Sequence, residues 1–194
     1  MKSICVFLVI GVLAGNASAS STTFYGTSGV DSMLVGRGVD EYGYLRYFAC
    51  INGDWSYGGY VSGSSDAVTV WSYGGSDTIR IRDVDASYNC GGDVVYLYRM
   101  DYAYVCPGAI NVYASTGNDI LVGAQCAENL QGSSGADAIY GQGGYDTIYA
   151  GSDNDCIEDE TVYYLSCGDG TDAYTDNGSW NDCETPTGAC YVFP

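Results

Sequence analysis

Carboxylates recur in this chain at a constant interval. Asp119, Glu128, Asp137, Asp146 and Asp155 are nine residues apart, and a large aliphatic follows each by two, at Leu121, Leu130, Ile139, Ile148 and Ile157. A carboxylate is a hard oxygen donor, and several gathered at one edge repel one another unless a hard cation sits between them. Catalytic arrangements fare worse. The chain has no histidine, so neither a Ser–His nor a Cys–His relay can be assembled. A carboxylate pair for glycoside hydrolysis can be drawn almost anywhere among 24 acids, so any one pair carries no information.

The elements that hold these acids follow from the same period. Glycine ahead of the acid and an aliphatic behind it read as a sharp turn feeding a short strand, repeated in register. Two nine-residue units then make one coil of strand, turn, strand, turn, and residues eighteen apart lie above one another. Asp119, Asp137 and Asp155 form one column, and Glu128 and Asp146 form the opposite one. Neighbouring coils are separated by about 4.8 Å. That gap suits Ca2+, which takes roughly six to eight mixed carboxylate and carbonyl oxygens, better than Mg2+, which demands a smaller octahedron and keeps its waters. A metal-free solenoid, whose Asp residues merely cap turns, stays open as the alternative. Turn chemistry alone, however, does not require acids at five successive equivalent positions. The aliphatic column has a structural role only, as the packed core.

Weaker copies of Gly-x-Asp-x-aliphatic extend the pattern. Gly75-Ser76-Asp77-Thr78-Ile79 and Gly91-Gly92-Asp93-Val94-Val95 fit well. Gly29-Val30-Asp31-Ser32-Met33 and Gly38-Val39-Asp40-Glu41-Tyr42 fit moderately, and Ser64-Ser65-Asp66-Ala67-Val68 loosely. Gly108-Ala109-Ile110-Asn111-Val112 has lost its acid, and Gly170-Thr171-Asp172-Ala173-Tyr174 restores the core. Asp77 and Asp172 therefore join the candidate ligands. Longer intervals, such as Tyr44 to Ser62, imply larger coils or protruding loops. Alternating runs at 67–71, 78–81, 94–98 and 110–113, each bounded by turn residues, predict strands, and no segment after the start keeps helical spacing.

Composition bounds the setting. Lys2, the apolar run from Ile4 to Ala14 and the small residues Ala17-Ser18-Ala19 read as a signal peptide over 1–19, leaving one domain over 20–194 with its best repeats at 114–159. No later segment is apolar enough to enter a membrane. Beyond Cys5 there are eight cysteines, an even number whose default use in an exported chain is disulfides, with no pairing selected by sequence. Close CxxC pairs are missing, which argues against zinc. With 24 acids against six Lys and Arg, the net charge of −18 repels nucleic acid and anionic membrane and opposes folding unless cations cancel it. Disorder is a poor account of that charge, because 46% of residues are hydrophobic and the acids are spaced, not run together.

The block STGNDILVG-AQCAENLQG-SSGADAIYG-QGGYDTIYA-GSDNDCIED resembles the hemolysin-type calcium-binding (RTX) repeat, Gly-Gly-x-Gly-x-Asp-x-aliphatic-x. The copies at Gly132 and Gly141 are nearest to it, followed by those at Ala114 and Ala150. The resemblance implies an all-β, right-handed parallel β-roll or β-helix solenoid, regular in its C-terminal half and irregular in its N-terminal half. It also implies Ca2+ held by Asp119, Asp137, Asp146 and Asp155, with main-chain carbonyls from Gly117, Gly132, Gly135, Gly141 and Gly144. Glu128 departs from the pattern, as does Asp153, which replaces the glycine before Asp155. The tail from Ser166 to Glu184 is similar to the closing segment of small exported members, which implies a Cys167–Cys183 disulfide.

The expectation is a secreted calcium-binding protein of structural or adhesive role, without catalysis. The alternative is a calcium-dependent carbohydrate-binding module, or a polysaccharide lyase drawing on Arg80, Arg82 or Arg99. The candidate partner besides calcium is an extracellular polysaccharide or a cell surface. The many tyrosines, Tyr140 and Tyr149 among them, suit such a surface, but they equally suit strand faces. Ice binding is poorly supported, since the outward positions hold Ile120, Asn129, Ala138, Thr147 and Cys156. Asn177-Gly178-Ser179 is a glycosylation sequon.

Overall fold

Alternation of apolar and polar side chains decides which face of each strand is buried. Runs such as Ala109–Thr116 and Ala138–Gln142 accordingly bury every second residue. The computed structural model describes residues 21–39, 44–60, 66–83, 87–90, 93–96, 109–175 and 183, and the regular elements among them are all strands. In chain order they are β1 (Ser21–Tyr25), β2 (Ser32–Val39), β3 (Leu45–Ile51), β4 (Asp54–Tyr60), β5 (Ala67–Trp71), β6 (Thr78–Asp83), β7 (Ser87–Cys90) and β8 (Asp93–Tyr96). There follow β9 (Ala109–Thr116), β10 (Ile120–Val122), β11 (Glu128–Ser134), β12 (Ala138–Gln142), β13 (Thr147–Ser152), β14 (Cys156–Asp159), β15 (Tyr164–Asp169) and β16 (Ala173–Thr175). The leader over 1–19, Asp40, Glu41, Tyr42, Gly91, Gly92, Tyr98, Arg99, Tyr102, Tyr104, Cys106, Gly108, Asn177 and Cys190 lie outside the described residues.

From β9 onward the chain visits two sheets in turn. The six-stranded sheet runs β1-β5-β9-β11-β13-β15, all parallel. The eight-stranded sheet runs β16-β14-β12-β10-β6-β2-β3-β4, parallel as far as β2. Each regular strand therefore pairs with the one two places on: Ile120 lies beside Ala138 and Ala138 beside Cys156, while Asn129 lies beside Thr147. The inward faces meet in a single core. Leu121, Leu130, Ile139, Ile148 and Ile157 are fully buried in it, continued by Ile79, Ile110 and Leu165. Each such side chain contributes about 1.5–3 kcal/mol by leaving water.

The N-terminal half keeps the same two sheets but interrupts them with hairpins. β2 pairs antiparallel with β3, and β3 with β4, before the chain returns to β5. After β6 the chain makes β7 and β8, an antiparallel pair forming its own small sheet. The disulfide Cys50–Cys90 joins β3 to β7, so the two excursions are tied to each other. Two of the expected outer copies are corrected here. Asp93-Val94-Val95 lies in β8, paired antiparallel with β7 and away from the two main sheets. Gly38 and Val39 continue β2 into its antiparallel pairing with β3 and make no turn. The Cys167–Cys183 disulfide implied by resemblance is present, with Cα atoms 5.2 Å apart, and Cys126 and Cys156 are also disulfide-bonded. No helix among the described residues is long and apolar enough to cross a membrane.

Candidate metal centre

Six strands of the eight-stranded sheet begin one residue after an aspartate: β2 after Asp31, β6 after Asp77, β10 after Asp119, β12 after Asp137, β14 after Asp155 and β16 after Asp172. Parallel register stacks these acids at one edge, and all six are buried. They are wired in series. The Asp31 amide donates to Asp77 Oδ1 (2.8 Å), the Asp77 amide to Asp119 Oδ1 (2.7 Å), and the Asp119 amide to Asp137 Oδ1 (2.8 Å). The Asp137 amide donates to Asp155 Oδ1 (2.8 Å), and the Asp155 amide to Asp172 Oδ1 (2.9 Å). The sequence separations along this series are 46, 42, 18, 18 and 17 residues, so the hairpin excursions leave the edge intact.

One carboxylate oxygen of Asp77, Asp119, Asp137, Asp155 and Asp172 is thereby used, and in the first four the other is left over. Oδ2 of Asp77, Asp119, Asp137 and Asp155 is buried without a hydrogen-bond partner. A buried carboxylate oxygen with no partner carries a full desolvation cost, which a bound cation removes. Burial pushes the Asp119 carboxyl up to about 6 and those of Asp137 and Asp155 to about 7, and it raises Asp77 as well. Repulsion from the neighbouring acid of the column adds to each, while the amide hydrogen bond opposes the rise. Asp31, at the end of the series, is different. Its oxygens accept from the Thr27 amide and from the Asn52 side chain, both at 2.5 Å.

The turns present oxygens to the same edge. A methyl group at Gly132 would collide with Asp137 Oδ2 and lie 2.6 Å from the Ala150 carbonyl oxygen. One at Gly26 would lie 2.6 Å from Asp31 Oδ2 and 2.9 Å from the Ser72 carbonyl oxygen. Glycine therefore keeps open a cradle lined by one carboxylate and one carbonyl. Gly117, Gly135 and Gly144, two residues before Asp119, Asp137 and Asp146, hold left-handed φ values of 138°, 118° and 116°. Asp153 adopts the same region, with φ 81°, in the place of the missing glycine.

The opposite edge is mixed. The Glu128 amide donates to Asp146 Oδ1 (2.7 Å), so these two acids stack as the period requires, but the next places in register are apolar, Ile110 on β9 and Val68 on β5. Asp146 is fully buried, its Oδ2 has no partner, and burial raises its carboxyl to about 8. Glu128 is answered otherwise. Its Oε1 meets the guanidinium of Arg37 at 3.4 Å and its Oε2 accepts the Ala124 amide, with both side chains of the ion pair buried. Arg37 was invisible to sequence reasoning, because a lone arginine 91 residues from its partner leaves no spacing signal. Asp159 was missed as well. Its only trace is that Asp155 and Asp172 are separated by 17 residues where 18 are regular.

All the donors are hard oxygens, carboxylate and carbonyl in combination, and the leftover Oδ2 atoms sit where a cation would answer them. That set fits Ca2+. Comparison with known proteins agrees: residues 127–157 match the RTX calcium-binding nonapeptide repeat family (4 copies). The repeats of that segment bind Ca2+. No curated protein and no solved structure matches the chain.

Proposed function

We propose, with the calcium-binding repeats of 127–157 as premise, that the chain is a secreted, non-catalytic calcium protein whose two sheets wind as a right-handed β-roll. The observation that carries this reading is the file of buried Oδ2 atoms on Asp77, Asp119, Asp137 and Asp155. These four acids, with Asp172 and Asp146, are the carboxylate ligands. Main-chain carbonyls of Gly117, Gly132, Gly135, Gly141 and Gly144 complete the shell. Glu128 contributes least, because Arg37 already balances its charge. Bound Ca2+ supplies positive charge to a chain of net charge −18; the protein's own groups hold the carboxylates in file and exclude water from them. Secretion is supported by the leader-like sequence over 1–19 and by disulfides, which persist in oxidising compartments.

The test is thermal unfolding in EDTA against millimolar calcium. A ligand that binds only the native state stabilises by mass action, so calcium is expected to raise Tm by several degrees or more. Equal melting curves would refute the reading.

One observation favours a second role on top of the first. Tyr25, Trp71 and Tyr113 lie side by side on successive strands of the six-stranded sheet, with Trp71 and Tyr113 stacked at 4.2 Å between centroids. Tyr25 and Trp71 are each 36% exposed. A row of partly exposed aromatic side chains suits contact with a polysaccharide. Retention on insoluble polysaccharide that is lost in Trp71→Ala would support this role, and equal elution of both proteins would remove it.

A further inference from the structure

The second edge loses its acid after Asp146. Thr147 pairs with Tyr164, so the residue stacked next to Asp146 is Tyr163, whose amide goes to the Asp146 carbonyl. The chain is one residue short in this pass. The register of β12 with β14 shows where: Tyr140 pairs with Glu158, the next pair is Gln142 with Asp159, and Gly141 is skipped. The slip changes which oxygen faces the turn. At Gly123, the preceding turn of this edge, a methyl group would meet the main-chain carbonyl of Gly141, with Glu128 Oε2 at 3.2 Å. At Gly141 itself, a methyl group would meet the carboxylate of Asp159, Cγ at 2.6 Å and Oδ2 closer, with Asp146 Oδ2 at 2.9 Å. A side-chain carboxylate thus stands where the other turns present a carbonyl.

We infer that Asp146 and Asp159 form a divalent-cation site over Gly141, with Asp159 replacing both the carbonyl and the acid that the shortened pass lacks. This rests on the calcium reading above and extends it to a residue outside the repeat pattern. Asp146 is completely buried and its Oδ2, aimed into the space over Gly141, has no hydrogen-bond partner. Asp159 is held for the task. Its Oδ1 accepts the Thr161 amide at 3.0 Å, and the Thr161 hydroxyl donates to the Gly144 carbonyl, which pins the short turn and leaves Oδ2 facing Asp146. Two carboxylates repelling across one glycine are a stable arrangement once a divalent cation joins them. Because two charges converge here, where the turn at Gly132 offers one carboxylate and one carbonyl, this site binds calcium more tightly than that turn does.

Calorimetric calcium titration of the full-length protein and of Asp159→Asn tests the site. The substitution keeps the shape and removes the charge, so the variant is expected to take up one ion fewer, or to bind one ion about tenfold more weakly. Wild-type protein that binds calcium alongside a variant of unchanged stoichiometry and affinity would overturn the inference alone. Wild-type protein that binds no calcium would overturn it together with the calcium reading. Should the variant fail to fold, hydrogen exchange on the wild type decides. Calcium is expected to protect the Thr161 amide together with the Glu128 amide, which donates to Asp146. A Thr161 amide indifferent to calcium, while the amides of Asp137 and Asp155 respond, would overturn the inference.

Discussion

An aspartate that gives one oxygen to its neighbour's amide and buries the other without a hydrogen-bond partner is expected to have protons and calcium compete for it. Asp119, Asp137, Asp146 and Asp155 have carboxyls raised from 3.8 to between about 6 and about 8 by burial. Without metal, the stability contributed by these protonated carboxyls is complete below pH about 4 and is lost as pH rises through about 6 to 8. Protein in EDTA is therefore expected to melt higher at pH 5 than at pH 8. In millimolar calcium the order reverses, because the ion needs the ionised form. Melting curves at the two pH values, with and without calcium, check both signs. Asp137 touches two neighbours, accepting from Asp119 and donating to Asp155. Asp137→Ala is expected to weaken two adjacent sites at once and to leave the Asp119 amide unsatisfied, at a cost of about 1–3 kcal/mol. Calorimetric stoichiometry, with urea unfolding alongside, would expose a variant that loses only one.

At the scale of the element, the nonapeptide turn is what reproduces the geometry. Gly135 sits at φ 118° with its α-carbon against the Gly117 carbonyl, whose carbon would lie 2.5 Å from any added methyl. Gly135→Ala is expected to cost about 1–3 kcal/mol for the backbone conformation, with the collision in addition. Urea unfolding in calcium measures it, and an unchanged midpoint would contradict the turn described. The turn also explains what could be read beforehand. Five repeats of constant length disclosed the aliphatic core and both columns, and the copies at Asp31, Asp77 and Asp172 lead into strands of the same edge. Asp93 has an equally good local motif and lies in a hairpin instead, since glycine, acid and a β-branched run satisfy a hairpin as well as a stacked turn. Asp159 escaped because a one-residue deletion moves an acid out of phase, and a periodic reading discards what is out of phase.

For the whole molecule, the balance lies between a large like charge and a continuous core. A net charge of −18 acts on every stacked turn, while the apolar interior runs uninterrupted from Phe24 to Leu165. The core and the disulfides hold the sheets together, and calcium is expected to relieve the edges. The N-terminal hairpins were foreseen only as longer intervals, because nothing in separations of 46 and 42 residues states how the extra chain pairs. Their attachment depends on long-range partners, Cys50 with Cys90 and Arg37 with Glu128, whose separations of 40 and 91 residues follow no period.

The amide-to-carboxylate series runs one way only: every link donates toward the C-terminus and accepts from the N-terminus. The two ends of the protein are for that reason unequal under trimming. Removing the segment that holds Asp31 costs Asp77 a donor, and an exposed oxygen is readily rehydrated. Removing the segment that holds Asp172 strands the amide of Asp155, and an orphaned N–H is the costlier loss. Stepwise deletion is expected to unravel the stack from its C-terminal end inward, with calcium uptake falling at the first cut there. The series has a polarity, and the turn at Asp172 is expected to serve as its keystone.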